Sequence, residues 1–319
     1  MKRKAILLAK NTLVVSLPAK WVQQNSITKG QDIDIDIKDK ILILKTEDGG
    51  NTATFSIKAD ISGMSSSLVW NYLNALYRTG VNEIEIFFND QELVDIKTDE
   101  SHKTMDVVSR ITDKLIGMEI IKQSRNSCVL KEITSLKGEE YHNVMNRVFL
   151  SLFAMADDII KAIEAQDIAT LENIHMYSEI NINKLSDYCT RILNTNGLRD
   201  FKETDTNYLM TFLLEEVGDS YAEIARIMCG AARKKLAVET NEIYRMTADL
   251  LGLSHKFFLN PKREYYLEFH ERRNSVKKKV DALVRSEKKH DDEILVFLKI
   301  ILDKLMEFNN SKLTSIGGF

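Results

Sequence analysis

Period-two alternation of apolar and polar residues is confined to roughly the first 135 positions, and beyond them almost every apolar residue recurs at helical spacing. The front reads as β-rich and the back as helical. Ala5–Ala9 and Thr12–Leu17 predict two short strands, Pro18 suits the opening of a helix over Ala19–Asn25, and Asp32–Ile37 with Ile41–Lys45 predict a hairpin. Four short strands and one helix in about 45 residues bury too little surface to stand alone, so dimerisation is expected on size grounds.

From Phe55 to Thr134 the pattern becomes strand, helix (Ser65–Arg78), strand (Glu83–Phe88), helix (Glu100–Ile116) and a hairpin through Gly117–Ile133. This is a small α+β connector. From Glu139, Tyr141, Met145, Val148, Leu152, Met155, Ile159 and Ile163 fall on one helical face. Five more such segments follow at about 169–195, 204–234, 239–259, 262–288 and 292–309, which predicts two antiparallel three-helix bundles. The expected α+β multidomain chain divides at 1–50, 53–135 and 138–319, the last as repeats of about 138–234 and 239–312.

With 319 residues, two or three domains are the starting expectation. The hydrophobic share of 44% beside 29% charged residues predicts folding throughout. No apolar run is long enough for a spanning helix, and the basic start Met1-Lys2-Arg3-Lys4 precedes too short an apolar run for a signal peptide, so a cytoplasmic protein with no transmembrane segment is expected. Cys128, Cys189 and Cys229 lie far apart with no CxxC spacing, the pattern of buried, reduced thiols. The net charge of −3 disfavours polyanion binding by the whole molecule yet allows a local patch, and the first ten residues carry Lys2, Arg3, Lys4 and Lys10 with no acid.

That patch belongs to a specific motif. Lys2-Arg3-Lys4, the stretch Ala9-Lys10-Asn11-Thr12-Leu13-Val14-Val15-Ser16-Leu17-Pro18-Ala19-Lys20-Trp21, and Ile27-Thr28-Lys29-Gly30-Gln31-Asp32-Ile33 together resemble the AbrB/SpoVT family over residues 1–46. The resemblance implies a swapped-hairpin β-barrel made by two interleaved chains, with basic residues against DNA. Read from the residues alone, Gly30 suits a turn, Pro18 a helix start and Trp21 a core anchor. Lys2, Arg3, Lys4, Lys10 and Lys20 are the DNA-contact candidates; phosphates are the default targets, and Arg3 is the side chain suited to reading guanine. A solvated basic rim is the alternative.

In the helical half, Leu214-Glu215-Glu216-Val217-Gly218-Asp219-Ser220-Tyr221-Ala222-Glu223-Ile224-Ala225 resembles the signature helix of the PhoU family, and Glu179-x-x-x-Asn183-Lys184-Leu185 is similar to its preceding acidic motif, with Asn183 in place of an acid. The combination resembles archaeal-type PhoU phosphate-uptake regulators, and the resemblance implies metal binding by such paired motifs. Independently, a hairpin turning near residue 200 sets level those residues whose numbers total about 400, so Glu179 and Asn183 should face Glu215 and Asp219. Three carboxylates and an amide oxygen suit a divalent or ferric ion, whereas the plainer reading is solvated helix-surface charge. In the second repeat, Lys277-x-x-x-Asp281 should lie level with Lys299-x-x-x-Asp303, so Lys–Asp pairs are expected there in place of metal.

Glu139-x-x-His142 and Glu172-x-x-His175 suggest a di-iron carboxylate site, but they start consecutive antiparallel helices and so lie ~35 Å apart. The turn Ser62–Ser67 offers backbone N–H groups to an anion, although a serine N-cap explains it. Arg272, Arg273, Lys277, Lys278 and Lys279 make one helix basic, a run that usually marks a solvated face. With no nucleophile–base constellation or cofactor loop in view, the expectation is a DNA-binding transcription regulator of phosphate uptake, not an enzyme. The alternative is a PhoU-like adaptor that binds a phosphate transporter ATPase or a signalling kinase, its N-terminal domain serving only to form the homodimer.

Overall fold

Strand β1 (Ile6–Ala9) pairs antiparallel with β2 (Thr12–Val14), setting Ile6 opposite Val14 and Leu7 opposite Leu13. A short helix α1 (Ala19–Gln24) follows, its first turn led in by Pro18. Gly30 takes φ +86°, the left-handed turn conformation for which glycine was expected. Strand β3 (Ile33–Lys38) then pairs with β4 (Ile41–Thr46), placing Ile35 opposite Leu44 and Ile37 opposite Leu42 on one apolar face. The computed structural model describes residues 2–9, 12–38, 40–46, 55–96, 98–134, 140–196, 201–230, 235–286 and 291–319. These fall into two units, Met1–Phe55 and Ser56–Phe319.

Among the described residues of the first unit, β1–β2 and β3–β4 form separate two-stranded sheets with no closed barrel, and no side chain of residues 2–46 is buried. Trp21, expected as a core anchor, is half-buried. Separate two-stranded sheets have too few neighbouring strands to cover an apolar face. Ile6, Leu7, Leu8, Leu13, Ile37 and Leu42 are all more than half exposed.

The second unit opens with β5 (Ser56–Asp60), α2 (Ser66–Arg78) and β6 (Glu83–Phe87), β5 and β6 being parallel. Ser65 caps α2, accepting from the Leu68 N–H. A hairpin of β7 (Glu92–Val94) and β8 (Ser101–Lys103) precedes α3 (Thr104–Thr112), and β9 (Met118–Gln123) with β10 (Ser127–Glu132) completes a four-stranded sheet in the order β5-β6-β10-β9. The expected helix over Glu100–Ile116 is therefore shorter. Thr104 fixes its start, its N–H donating to the Gln91 carbonyl and its hydroxyl to that of Asp90.

The helical half comprises α4 (Glu140–Ala165), α5 (Ile168–Asn173), a π-helical turn (Ile174–Ser178), α6 (Glu179–Asn196), α7 (Phe201–Gly230), α8 (Val238–Leu259), α9 (Arg263–Val284) and α10 (Asp292–Ser315). The helix expected over 169–195 is thus interrupted by a wider turn just before Glu179, which rotates the faces on either side. Helix α10 runs past 309, and Leu305 and Phe308 remain on its buried face. The most extensive helix–helix contact joins α7 to α10, and a single core runs through both triples. Among the described residues, no helix is long and apolar enough to cross a membrane.

Candidate functional site

Helix α6 is packed on nearly every side: from Leu185 to Leu193 every residue but Tyr188 is buried. Ile182, Leu185, Cys189 and Ile192 supply the bundle core, as their spacing dictates. Asp187 and Arg191, one turn apart, are buried as well. A helix with charges on a buried face needs partners there, and the connector provides them. Arg78, at the last turn of α2, donates its Nε–H to Asp187 Oδ1 at 2.5 Å and stands 3.8 Å from Glu215 Oε1. The Arg191 guanidinium lies 4.8 Å from the ring centre of Tyr77, donates to the Tyr77 carbonyl at 2.7 Å and sits 3.2 Å from Glu132 Oε2. That last contact lies outside hydrogen-bond geometry, and the Nε–H of Arg191 meets no acceptor among the described residues. Glu132 also accepts from Asn82 at 2.5 Å, and Asn194 donates to the Arg78 carbonyl at 2.7 Å. Gly80, at φ +89°, completes the seam, because a Cβ there would collide with Thr195.

Burial drives the electrostatics of this joint. It pushes the Glu215 carboxyl up to about 7, against Arg78 and with help from Asp187, Asp219 and Glu216. Asp187 is also raised by burial, opposed by Arg78 and by a hydrogen bond from Asn74.

The residues singled out from the sequence fall as follows. Ile182 packs tightly on Gly218, where a Cβ would come within 3.1 Å of Ile182 Cδ1, the register expected for a hairpin turning near residue 200. Asn183 lies on the α6 face toward the connector, with Asp187. Glu215 and Asp219 stand one turn apart on α7, and the Glu179 side chain is outside the described residues. Among the described residues, no three His, Cys, Asp or Glu side chains converge to hold a metal, and beside Glu215 a cation is already present in Arg78.

In the second repeat Lys277 pairs with Asp303 at 3.6 Å and Lys299 with Asp281 at 3.3 Å, the cross-helix pairs that the spacing predicted. The basic run on α9 is largely neutralised: Arg272 pairs with Glu268, Arg273 with Asp303 and Lys279 with Glu242. In the Ser62–Ser67 turn the Ser62 and Gly63 N–H groups are taken by the carboxylates of Asp60 and Asp90, so the capping explanation holds and the anion cradle does not. Cys128 and Cys189 are buried and Cys229 half-buried, all as free thiols. Lys2, Arg3, Lys4 and Lys20 are exposed, and Lys10 lies outside the described residues.

Sequence reasoning missed Arg78, Glu132, Asp187 and Arg191. The available signal was a charged pair at i,i+4, Asp187 and Arg191, set among the apolar positions Leu185, Cys189, Ile192 and Leu193.

No family model matches the chain, and no curated protein matches it. Among solved structures, the phosphate transport system regulatory protein PhoU from Streptococcus pneumoniae is similar at 14% identity and a TM-score of 0.49, over 56% of this chain and 94% of that one. A likeness at that level leaves the family of the chain unassigned.

Proposed function

We propose that this chain is a cytoplasmic, homodimeric DNA-binding transcription regulator whose helical half carries the regulatory input. The observation that carries the reading is the state of the first unit: two hairpins with open aliphatic faces, no buried side chain among the described residues of 2–46, and Lys2, Arg3 and Lys4 exposed just ahead of β1. Fully burying one such aliphatic side chain contributes about 1.5–3 kcal/mol, so a second copy of this unit is the natural cover, and the AbrB/SpoVT-like motif names that arrangement. Pairing two copies doubles the exposed cations presented to one duplex, where phosphates are the first targets. Phosphate uptake is the response named by the PhoU-like motifs of α6 and α7.

On this reading the acidic face of α6 and α7 receives Arg78 of the connector in place of a metal ion, which makes the joint the route by which the helical half is tied to the segment following the DNA-binding unit. Titration of the full chain with magnesium, manganese or ferric ion should then show no stoichiometric site. A site that is lost in Glu179→Gln and Asp219→Asn variants would restore the metal reading.

The experiment for the reading as a whole is sedimentation of the full chain with and without duplex DNA. A dimer that binds DNA with a steep loss of affinity as salt rises is the expected result. A dimer indifferent to DNA would turn the assignment to an adaptor that docks on a transporter ATPase or a kinase, and a monomer would overturn both.

A further inference from the structure

The same joint leaves a cleft of about 730 Å³ between α2, the β7–β8 hairpin, the end of α3 and α6. That volume suits a small molecule, and a seam between two packed parts of a chain is where such sites form. Its electrostatics differ from those of the rest of the helical half, where Lys and Arg repeatedly meet carboxylates. Lys184 reaches from α6 to donate to the Asp113 carbonyl at 2.7 Å, and Lys114, the very next residue, lies 4.6 Å from the centre of the Trp70 ring. Two ammonium groups from different elements are thereby brought to one rim, each resting on a neutral acceptor. Arg110 stands one turn earlier on α3, its Nε–H directed at the Asp106 carbonyl at 3.4 Å. Among the described residues none of these three cations forms an ion pair. Asp187, which also borders the cleft, is committed to Arg78.

Trp70 adds an indole ring, one face of it under Lys114, and Asp95 and Asp113 add carboxylates to the lining. Cations suited to a phosphoryl group, an aromatic face and an acceptor for hydroxyl or amino groups form a mixed set that a bare inorganic anion would use only in part. We propose that this cleft binds a phosphorylated small molecule bearing a flat ring, of the nucleotide class. The phosphoryl oxygens take Lys114, Lys184 and Arg110, the ring lies along the Trp70 side, and the ligand bridges the connector to α6. The site is independent of the DNA-binding reading and of any metal.

The test is calorimetric titration of the full chain with AMP, ADP, ATP and inorganic phosphate, with Arg110→Glu, Lys184→Glu and Trp70→Leu variants beside the wild type. One nucleotide per chain is expected. Reversing a charge that makes a charge-assisted hydrogen bond should weaken binding by about tenfold or more. Trp70→Leu should weaken nucleotide binding and leave the response to inorganic phosphate unchanged. Arg110 is exposed and, among the described residues, bonds only within its own helix, so its variant stays folded even if Lys184→Glu does not. The proposal is overturned if no nucleotide binds at millimolar concentration, if Arg110→Glu leaves the affinity unchanged, or if inorganic phosphate binds as tightly as the nucleotides.

Discussion

Removing Arg191 should be the most damaging single change at the connector seam, and its cost can be worked from the contacts. The guanidinium is fully buried, and it stacks on Tyr77, bonds the Tyr77 carbonyl and faces Glu132, whose side chain is 13% exposed. Taking one partner from a buried ion pair costs about 3–5 kcal/mol, because the other charge stays buried. Glu132 keeps its bond from Asn82, which places Arg191→Met at the lower end of that range, about 3 kcal/mol. In a unit of this size that corresponds to a fall in Tm of roughly 6–12 °C. The double variant Arg191→Met with Glu132→Gln removes both charges and should regain about half of the loss, since an apolar replacement of a buried pair is often nearly neutral. Urea unfolding followed by circular dichroism gives the stabilities, and amide exchange along α2 reports whether the seam opens locally. A single variant within about 1 kcal/mol of wild type, or a double variant no better than the single one, would refute the view that Arg191 holds the connector on α6.

Other consequences can be read at single residues. His255 lies against Phe149 and Phe153 with Nε2 2.6 Å from Asn146 Oδ1, and burial holds its pKa below the ordinary 6.5. The unfolded chain therefore protonates first as pH falls, so stability should decline below about pH 6.5, and His255→Gln should flatten part of that decline in pH-dependent melting curves. Gly80→Ala combines a left-handed backbone with the Thr195 collision and should cost about 1–3 kcal/mol, measured by urea unfolding; a neutral outcome would mean that α2 can back away from α6 at no cost. Asp281→Asn removes the partner of Lys299 in a half-exposed pair and should change stability by less than about 1 kcal/mol in the same assay, a larger loss contradicting the view of these pairs as surface contacts.

Much of the helical half was legible because its signals are local and periodic. Tyr141, Met145, Val148, Leu152, Met155, Ile159 and Ile163 all became core, and simple hairpin arithmetic set Ile182 on Gly218 and Lys277 beside Asp303. The β7–β8 hairpin was hidden because its strands are three residues each and its stop signal, Thr104 bonded to Asp90 and Gln91, is a tertiary contact. The π turn at Ile174–Ser178 was hidden for a similar reason, since an extra residue in a turn scarcely disturbs the apolar count. The joint was the largest omission. Arg78 and Asp187 are 109 positions apart, and pattern reasoning sees each as a helix-surface charge until the packing brings them together. The same packing places Arg78 beside Glu215, which the sequence offered only as a candidate metal ligand.

The central claim, a regulator that engages DNA through its first unit, is tested most directly by selecting genomic DNA fragments on the purified full chain, with an Arg3→Glu, Lys10→Glu double variant alongside. The account predicts enrichment of a few upstream regions by the wild type, with phosphate-uptake genes among their neighbours, and its loss in the variant while the dimer persists. Equal recovery of all fragments, or enrichment unchanged by the double substitution, would contradict it.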